Sequence, residues 1–329
     1  MTSRPVPPTD AAGDDPAGLT AAGAADLPAD LVLPARTRLI ATDLDGTLLT
    51  DGKAVSERTI AALAAAEAAG IAVFFVTGRP PRWMDVVRDH VHGHGLAICG
   101  NGAVVVDLRA GDLPVRVRPL PRAVALDVVR ELRAAAPGTS FAVELTDGIS
   151  YEPEYPRFPL DPGTLVAPAE KLLDGEDGGV GGDGGDGGDG GGGGDGGEGD
   201  SPVIKLLAHH RDLTPDGFLT LARTLAGDRA SFTRSSPSAL IEVSGLGVSK
   251  ASTLALCCAE RGISADEVVA FGDMPNDLEM LTWAGTSFAM GNAHPDVIAA
   301  ASGRTASNEE DGVAVVIERI VAARRADRD

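Results

Sequence analysis

The chain has 329 residues, enough to bury a full core and to divide into two domains. Its formal charge is −20, from 28 basic and 48 acidic residues, which argues against nucleic acid or an anionic membrane as the main partner. Cys99, Cys257 and Cys258 neither form a disulfide framework nor carry zinc-ligand spacing, and no secretory leader or run of 18 apolar residues occurs, so the expected setting is a reducing cytoplasm.

Residues 1–36 are rich in Ala, Pro, Asp and Gly without a sustained hydrophobic period and are expected to form a disordered tail. From Thr37 the pattern becomes strand–helix alternation. Leu39–Thr42 is a buried-type strand. Ser56 caps a helix running to Ala69, with Gly70 as its stop. Ile71–Val76 is a second apolar strand, broken by Thr77-Gly78-Arg79-Pro80. Leu96–Cys99 and Ala103–Val106 follow, split by the turn Gly100-Asn101-Gly102. Unbroken apolar strands between helices predict a parallel sheet covered on both faces.

The block from 112 to 245 is different in kind. Helices at Arg122–Ala135 and Pro215–Leu225 are interleaved with strands at Ser140–Leu145, Pro202–Ala208 and Ala239–Val243, under heavy Pro and Gly punctuation. It reads as an α+β domain inserted into an α/β chain whose first part is 37–111. Residues 174–200 hold nine acids, no base and many glycines, so they are expected to be a flexible acidic loop. A calcium β-roll is disfavoured because only Val180 could supply its apolar positions. The βα rhythm resumes over 246–323: a helix Ser249–Arg261, with Cys257 and Cys258 on its apolar face, a strand Val268–Phe271, a helix Asp277–Trp283, a strand Ser287–Met290 and a final helix from Gly312 to Ala323. Residues 324–329 are a tail. His90, His92 and His94 would chelate a metal on a strand, but Gly93 and Gly95 point to a solvated loop.

Four stretches place polar groups at strand ends or helix starts, where parallel α/β sheets carry their active sites. They are Asp43-x-Asp45-Gly46-Thr47, Val76-Thr77-Gly78-Arg79, Gly247-Val248-Ser249-Lys250 and Gly272-Asp273-Met274-Pro275-Asn276-Asp277. Each alone is weak: Asp-Gly is commonly a turn, Thr-Gly-Arg a loop, Lys a solvated cation. An EF-hand fails on spacing, since its obligatory glycine would fall on Leu48. A glycosyltransferase-type DxD leaves Lys250 and the second acidic cluster unexplained. Together, two carboxylate clusters at neighbouring strand ends call for a hard cation such as Mg²⁺. Lys250 opposes the dipole of its helix unless it faces an anion. The set specifies a phosphate held between a metal and a lysine, with a carboxylate in line to attack it.

In order and spacing, DLDGTLL, the strand ending VTGR, GVSKASTL and GDMPNDLEML resemble the four motifs of the haloacid dehalogenase superfamily. IEVSGLGVSK and ICGNGAVV resemble its Cof-like (type IIB) branch of sugar-phosphate phosphatases. The resemblance spans about residues 37–323 and implies a Rossmann-like parallel-sheet core with an inserted cap. It implies Asp43 as the nucleophile forming an aspartyl-phosphate and Asp45 as general acid and then base. Mg²⁺ would be held by Asp43, the backbone carbonyl of Asp45, and Asp273, with Asp277 in an outer position. Thr77, Lys250 and Asn276 would bind the phosphoryl group. The partner would be a small phosphorylated metabolite, with sugar phosphates favoured; the oligomeric state is not legible. Arg79, Asn101, Glu144 and Lys205 are candidates to face substrate, though each reads more readily as a surface or structural residue. Phosphotransfer or mutase chemistry, or a non-catalytic metabolite-binding protein on the same fold, are the alternatives.

Overall fold

The computed structural model describes residues 36–90, 95–110, 114–157, 161, 163, 165–174, 201–235 and 238–326. The expected N-terminal tail, His92, His94 and the Gly/Asp-rich stretch after Asp174 lie outside the described residues. In chain order the elements are β1 (Leu39–Thr42), α1 (Glu57–Ala68), β2 (Ala72–Val76), α2 (Asp85–Arg88), β3 (Gly95–Cys99), β4 (Val104–Asp107), β5 (Pro114–Val117), α3 (Arg122–Ala135), β6 (Ser140–Leu145), β7 (Ile149–Tyr151) and α4 (Ala169–Leu173). They continue with β8 (Val203–His209), α5 (Pro215–Ala226), β9 (Ala230–Thr233), β10 (Leu240–Gly245), α6 (Lys250–Ala259), β11 (Val268–Gly272), α7 (Leu278–Trp283), β12 (Thr286–Ala289), α8 (Pro295–Ala300), β13 (Gly303–Arg304) and α9 (Gly312–Ala326).

The core is an eight-stranded sheet in the order β13-β12-β11-β1-β2-β3-β4-β5. The six strands from β13 to β3 run parallel, and β4 and β5 each pair antiparallel with the strand before them. β1, β2, β3 and β11 are buried almost throughout, as a sheet covered on both faces requires. On one face Ile40, Phe75 and Phe271 pack with Leu63 of α1 and Ile317 of α9; on the other, Phe74 and Ala270 pack with Leu254 of α6 and Leu281 of α7.

The second domain is a five-stranded antiparallel sheet, β7-β6-β8-β10-β9. Phe141, Leu206, Ala208, Ile241 and Val243 turn one face toward α3 and α5, where they meet Val128, Leu132 and Phe218. Strand alternation places Glu144, Lys205, Leu207 and Glu242 on the opposite face, with Glu144 beside Lys205 and Leu207 beside Glu242 in register.

Two boundaries differ from the sequence reading. The inserted domain does not begin at 112: Pro114–Val117 pairs with β4 and is the edge strand of the core sheet. Its side chains are exposed or only partly buried and Arg116 interrupts the run, so its sequence lacks the buried-strand signature of its neighbours. The last helix continues past Ala323 to Ala326, where Arg324 donates to the Thr37 carbonyl at 2.9 Å. Among the described residues, no helix is long and apolar enough to cross a membrane.

Candidate active site

Adjacent strands β11, β1 and β2 end side by side, and each is followed by a polar residue at the same rim of the sheet. Asp43 follows β1, its N–H donating to Phe271 O at 3.1 Å. Thr77 follows β2, its N–H donating to Ile98 O at 2.8 Å. Asp273 follows β11. The fourth component comes from the start of α6, where Ser249 is the N-cap and forms a reciprocal capping box with Ser252. Gly102 lets the Gly100–Gly102 turn press against this helix start, since a Cβ there would meet Ser249 O at 2.3 Å. Lys250, in the first helical turn, is thereby directed under the rim rather than into solvent, with 1% of its side chain exposed.

The Lys250 ammonium donates to Asp43 Oδ1 at 2.7 Å and to Asp277 Oδ1 at 2.6 Å. Burial alone would lower its pKa, but Asp277 and Asp43 outweigh that and hold the lysine above its ordinary range. Asp277 Oδ2 accepts the backbone N–H groups of Asp273 and Met274, at 3.1 and 3.0 Å. Both oxygens of Asp277 are therefore engaged, and its evident work is to fix the loop that carries Asp273 and to hold Lys250. Asp273 Oδ1 accepts from the Thr47 hydroxyl at 2.9 Å. Burial, then the charge of Asp277, raises the Asp273 carboxyl to about 7. Burial also pushes Asp43 well above the carboxylate range, against the pull of Lys250.

Asp43, Asp273 and Asp277 bring carboxylate oxygens within 4.8 Å of one another. When all are ionised, three negative charges face the one positive charge of Lys250. All-oxygen donors carrying this excess fit a hard divalent cation. The packing fits too: at Gly46, whose φ is +75°, a Cβ would stand 2.3 Å from Asp273 Oδ2, so the loop is drawn directly over the carboxylates.

Asp45 lies apart from this cluster. Its carboxylate takes Nε and Nη2 of Arg79 at 2.6 and 2.7 Å and Lys53 Nζ at 2.9 Å. Partial burial opposes its charge, but these hydrogen bonds prevail and lower its pKa to about 2. Thr77 is buried, its hydroxyl accepting the Arg79 N–H at 3.1 Å. Asn276, in a 3₁₀ turn after β11, donates from Nδ2 to Asn101 Oδ1 at 3.2 Å.

Above the rim is a cavity of about 340 Å³ whose lining includes Asp43, Asp45, Thr77, Arg79 and Asn276 from the core and Glu144, Lys205 and Glu242 from the cap. Trp83, Leu207 and Leu240 add apolar walls. Glu144 and Lys205 are thus not surface residues: both are buried at the domain junction, as is Asn101, and Arg79 is mostly covered. Lys53, Arg82 and Glu242 escaped the sequence reading. Arg82, from the core, pairs with Glu144 and Asp161 of the cap, its Nε reaching Asp161 Oδ2 at 2.8 Å. Glu242 alone had a sequence signal, a lone acid inside an otherwise apolar strand.

A carboxylate at a strand end, a buried lysine bridging it to a second acidic loop, and a cap closing over both define a phosphoryl-transfer hydrolase with a Rossmann-like core. Residues 40–161 and 198–317 match the family model for haloacid dehalogenase-like hydrolases, and the chain belongs to that family. The unmatched interval between them contains most of the Gly/Asp-rich stretch. The chain is 29% identical to the putative phosphatase YxeH of Bacillus subtilis (strain 168), over 87% of this chain and 99% of that protein. It is 28% identical to the 5-amino-6-(5-phospho-D-ribitylamino)uracil phosphatase YitU of the same organism, over 84% and 94%. The fold agrees with that of BT1666 from Bacteroides thetaiotaomicron, a phosphatase of the superfamily, with a TM-score of 0.67 at 23% identity, covering 88% and 98% of the two chains. Within the family, the chain is a phosphoric monoester hydrolase of the Cof-like branch.

Proposed function

We propose a Mg²⁺-dependent phosphatase of small phosphorylated metabolites, sugar and polyol phosphates being the favoured class, that works through an aspartyl-phosphate on Asp43. The observation that carries this reading is the buried Lys250 ammonium shared between Asp43 and Asp277 beside Asp273, a site with more negative charge than its one lysine neutralises. Asp43, the Asp45 carbonyl and Asp273 would hold Mg²⁺, with Asp277 behind them. The ion, when bound, offsets the repulsion between Asp43 and the incoming phosphate and draws charge from the phosphoryl oxygens.

Asp43 Oδ attacks phosphorus as the ester P–O bond breaks, and Asp45 gives its proton to the departing oxygen. Thr77, Lys250 and Asn276 hold the phosphoryl oxygens while charge redistributes among them. Asp45, now a carboxylate, takes a proton from water, which attacks phosphorus and frees Asp43. The described conformation, with Asp45 clamped by Arg79 and Lys53, is its base form. To act as the acid it must first leave these cations and gain a proton. Cap closure excludes bulk water from the aspartyl-phosphate. The phosphoribityl chain in the name of the YitU relative supports a polyol phosphate, and so do the polar Ser235 and Glu144 beside the Trp83 wall.

The test is phosphate release from a panel of phosphorylated metabolites, with Mg²⁺ and with a chelator. Turnover should require the metal, and Asp43→Asn should abolish both turnover and the acid-stable phosphoenzyme. An active Asp43→Asn protein would overturn the assignment.

A further inference from the structure

The cap and the phosphate site are joined by a polar chain that has one direction. Glu242, on cap strand β10, is buried at the domain junction with 3% exposure. Its carboxylate accepts from Lys205 Nζ at 3.0 Å, from the Ser235 hydroxyl and from Asn101 Nδ2. Lys205, on cap strand β8, also donates to Gly78 O in the core at 2.9 Å. Burial opposes charge on Glu242, yet Lys205 and these donors keep it ionised.

A carboxylate can only accept, and this fixes the orientation of both asparagines beyond it. Asn101 must turn its Nδ2 to Glu242, so its Oδ1 faces Asn276. Asn276 must in turn present Nδ2 to Asn101, which leaves Asn276 Oδ1 buried without a partner among the described residues. A buried acceptor without a donor is unfavourable, so the orientation is imposed rather than locally preferred. Turned the other way, the Asn276 oxygen would face the Asn101 oxygen. The backbone of Asn101 is committed to the same end, with φ of 55°, a left-handed conformation that Asn and Asp tolerate better than most residues.

We infer that Glu242 is a positioning residue that reports cap closure to the phosphate site: through Asn101 it fixes which way the Asn276 amide is turned, its nitrogen toward Asn101, only while the cap is docked. This rests on the reading of Asn276 as a phosphoryl-binding residue given above. When the cap lifts, the carboxylate leaves with it, Asn101 is released, and Asn276 relaxes toward the orientation that satisfies its oxygen. The site is then fully set for phosphoryl transfer only when the substrate is enclosed.

The shared acceptor sets the test. Lys205 Nζ and Asn101 Nδ2 reach the same Glu242 oxygen, Oε2, while the Ser235 hydroxyl reaches the other. Glu242→Gln therefore keeps its oxygen on the lysine, still accepts from Asn101 and turns its nitrogen to Ser235. Glu242→Leu removes the acceptor, and Asn101→Asp sets two carboxylates against each other. Kinetics would be measured with p-nitrophenyl phosphate and Mg²⁺, whose small leaving group does not need the cap's specificity contacts, with thermal melts alongside. Glu242→Leu and Asn101→Asp should each lower kcat at least tenfold with KM within threefold, and Glu242→Gln should stay within threefold of wild type. Glu242→Leu or Asn101→Asp within twofold of wild-type kcat, or Glu242→Gln as poor as Glu242→Leu, would overturn the inference. A merely structural role would lower the melting temperature and leave the kcat of the folded protein within twofold. Wild-type protein inert toward the aryl phosphate would instead overturn the phosphatase reading itself.

Discussion

Asp43 and Lys250, 207 residues apart in the chain, are joined by a hydrogen bond of 2.7 Å between two buried side chains. Removing the lysine leaves Asp43 and Asp277 buried without their shared cation. Breaking a buried pair from one side costs about 3–5 kcal/mol. Lys250→Met should therefore lower the melting temperature markedly, and turnover should fall by at least ~100-fold, as when an electrostatic donor is removed from a transition state. Mg²⁺ should recover part of the lost stability, since it neutralises the same carboxylates, but not the turnover. A variant with wild-type activity would show that the bridge is not part of the site.

Asp273 sets a pH dependence that the metal should abolish. Its folded-state carboxyl is raised to about 7 from the ordinary 3.8, by burial and by Asp277. Between those values the folded chain binds a proton that the unfolded chain does not, so its contribution is present below pH 4 and lost as pH rises through 7. The chelated protein should be less stable at pH 7.5 than at pH 5.5 as far as this group is concerned. Added Mg²⁺ should reverse that order, because the ion needs the carboxylate form, and metal affinity should weaken as pH falls below 7. Thermal melts at both pH values, with chelator and with Mg²⁺, check the reversal.

The legible parts of the molecule are those where one local rule decides. β1, β2, β3 and β11 show as unbroken apolar runs because both of their faces are covered. α6 shows through Ser249 as its cap, and the unfavourable lysine just inside it marks an anion nearby. β5, β7 and β9 do not show, because each is an edge strand of three or four residues whose apolar run is interrupted by a polar residue. At the site, residues at strand ends could be proposed from sequence because parallel sheets place them together. Glu144 and Lys205 could be named only as candidates that read more readily as surface or structural residues, and Glu242 not at all, since their meaning depends on how the cap is docked. Charged residues in strands ordinarily face water, and only the domain junction makes these three buried.

Gly46 is a glycine for two reasons at once. Its φ of +75° costs a residue with a side chain about 1–2 kcal/mol, and its missing Cβ leaves room for Asp273 Oδ2. Gly46→Ala should therefore displace either the loop or the Asp273 carboxylate. The expected result is a loss of Mg²⁺ affinity of at least ~10-fold, in the range seen when a residue supporting metal ligands is removed. Titration calorimetry measures it directly, and unchanged affinity would mean that the loop yields without moving Asp273.

Arg82 reaches from the core to two acids of the cap, Glu144 and Asp161. Glu144 is buried, and burial raises its pKa while Arg82 holds it down. Arg82→Gln removes that restraint and one of the ties that keep the cap docked. Glu144 should then take up a proton at higher pH, while Lys205–Glu242 still holds the other side of the junction. The expected phenotype is a raised KM for a metabolite phosphate, by about tenfold for a lost charged contact, with a smaller change in kcat. Glu144→Gln in the same background should add little, because the two variants break one interaction. If the two effects were instead fully additive, Arg82 and Glu144 would act separately, and the pair would not be a latch between the domains.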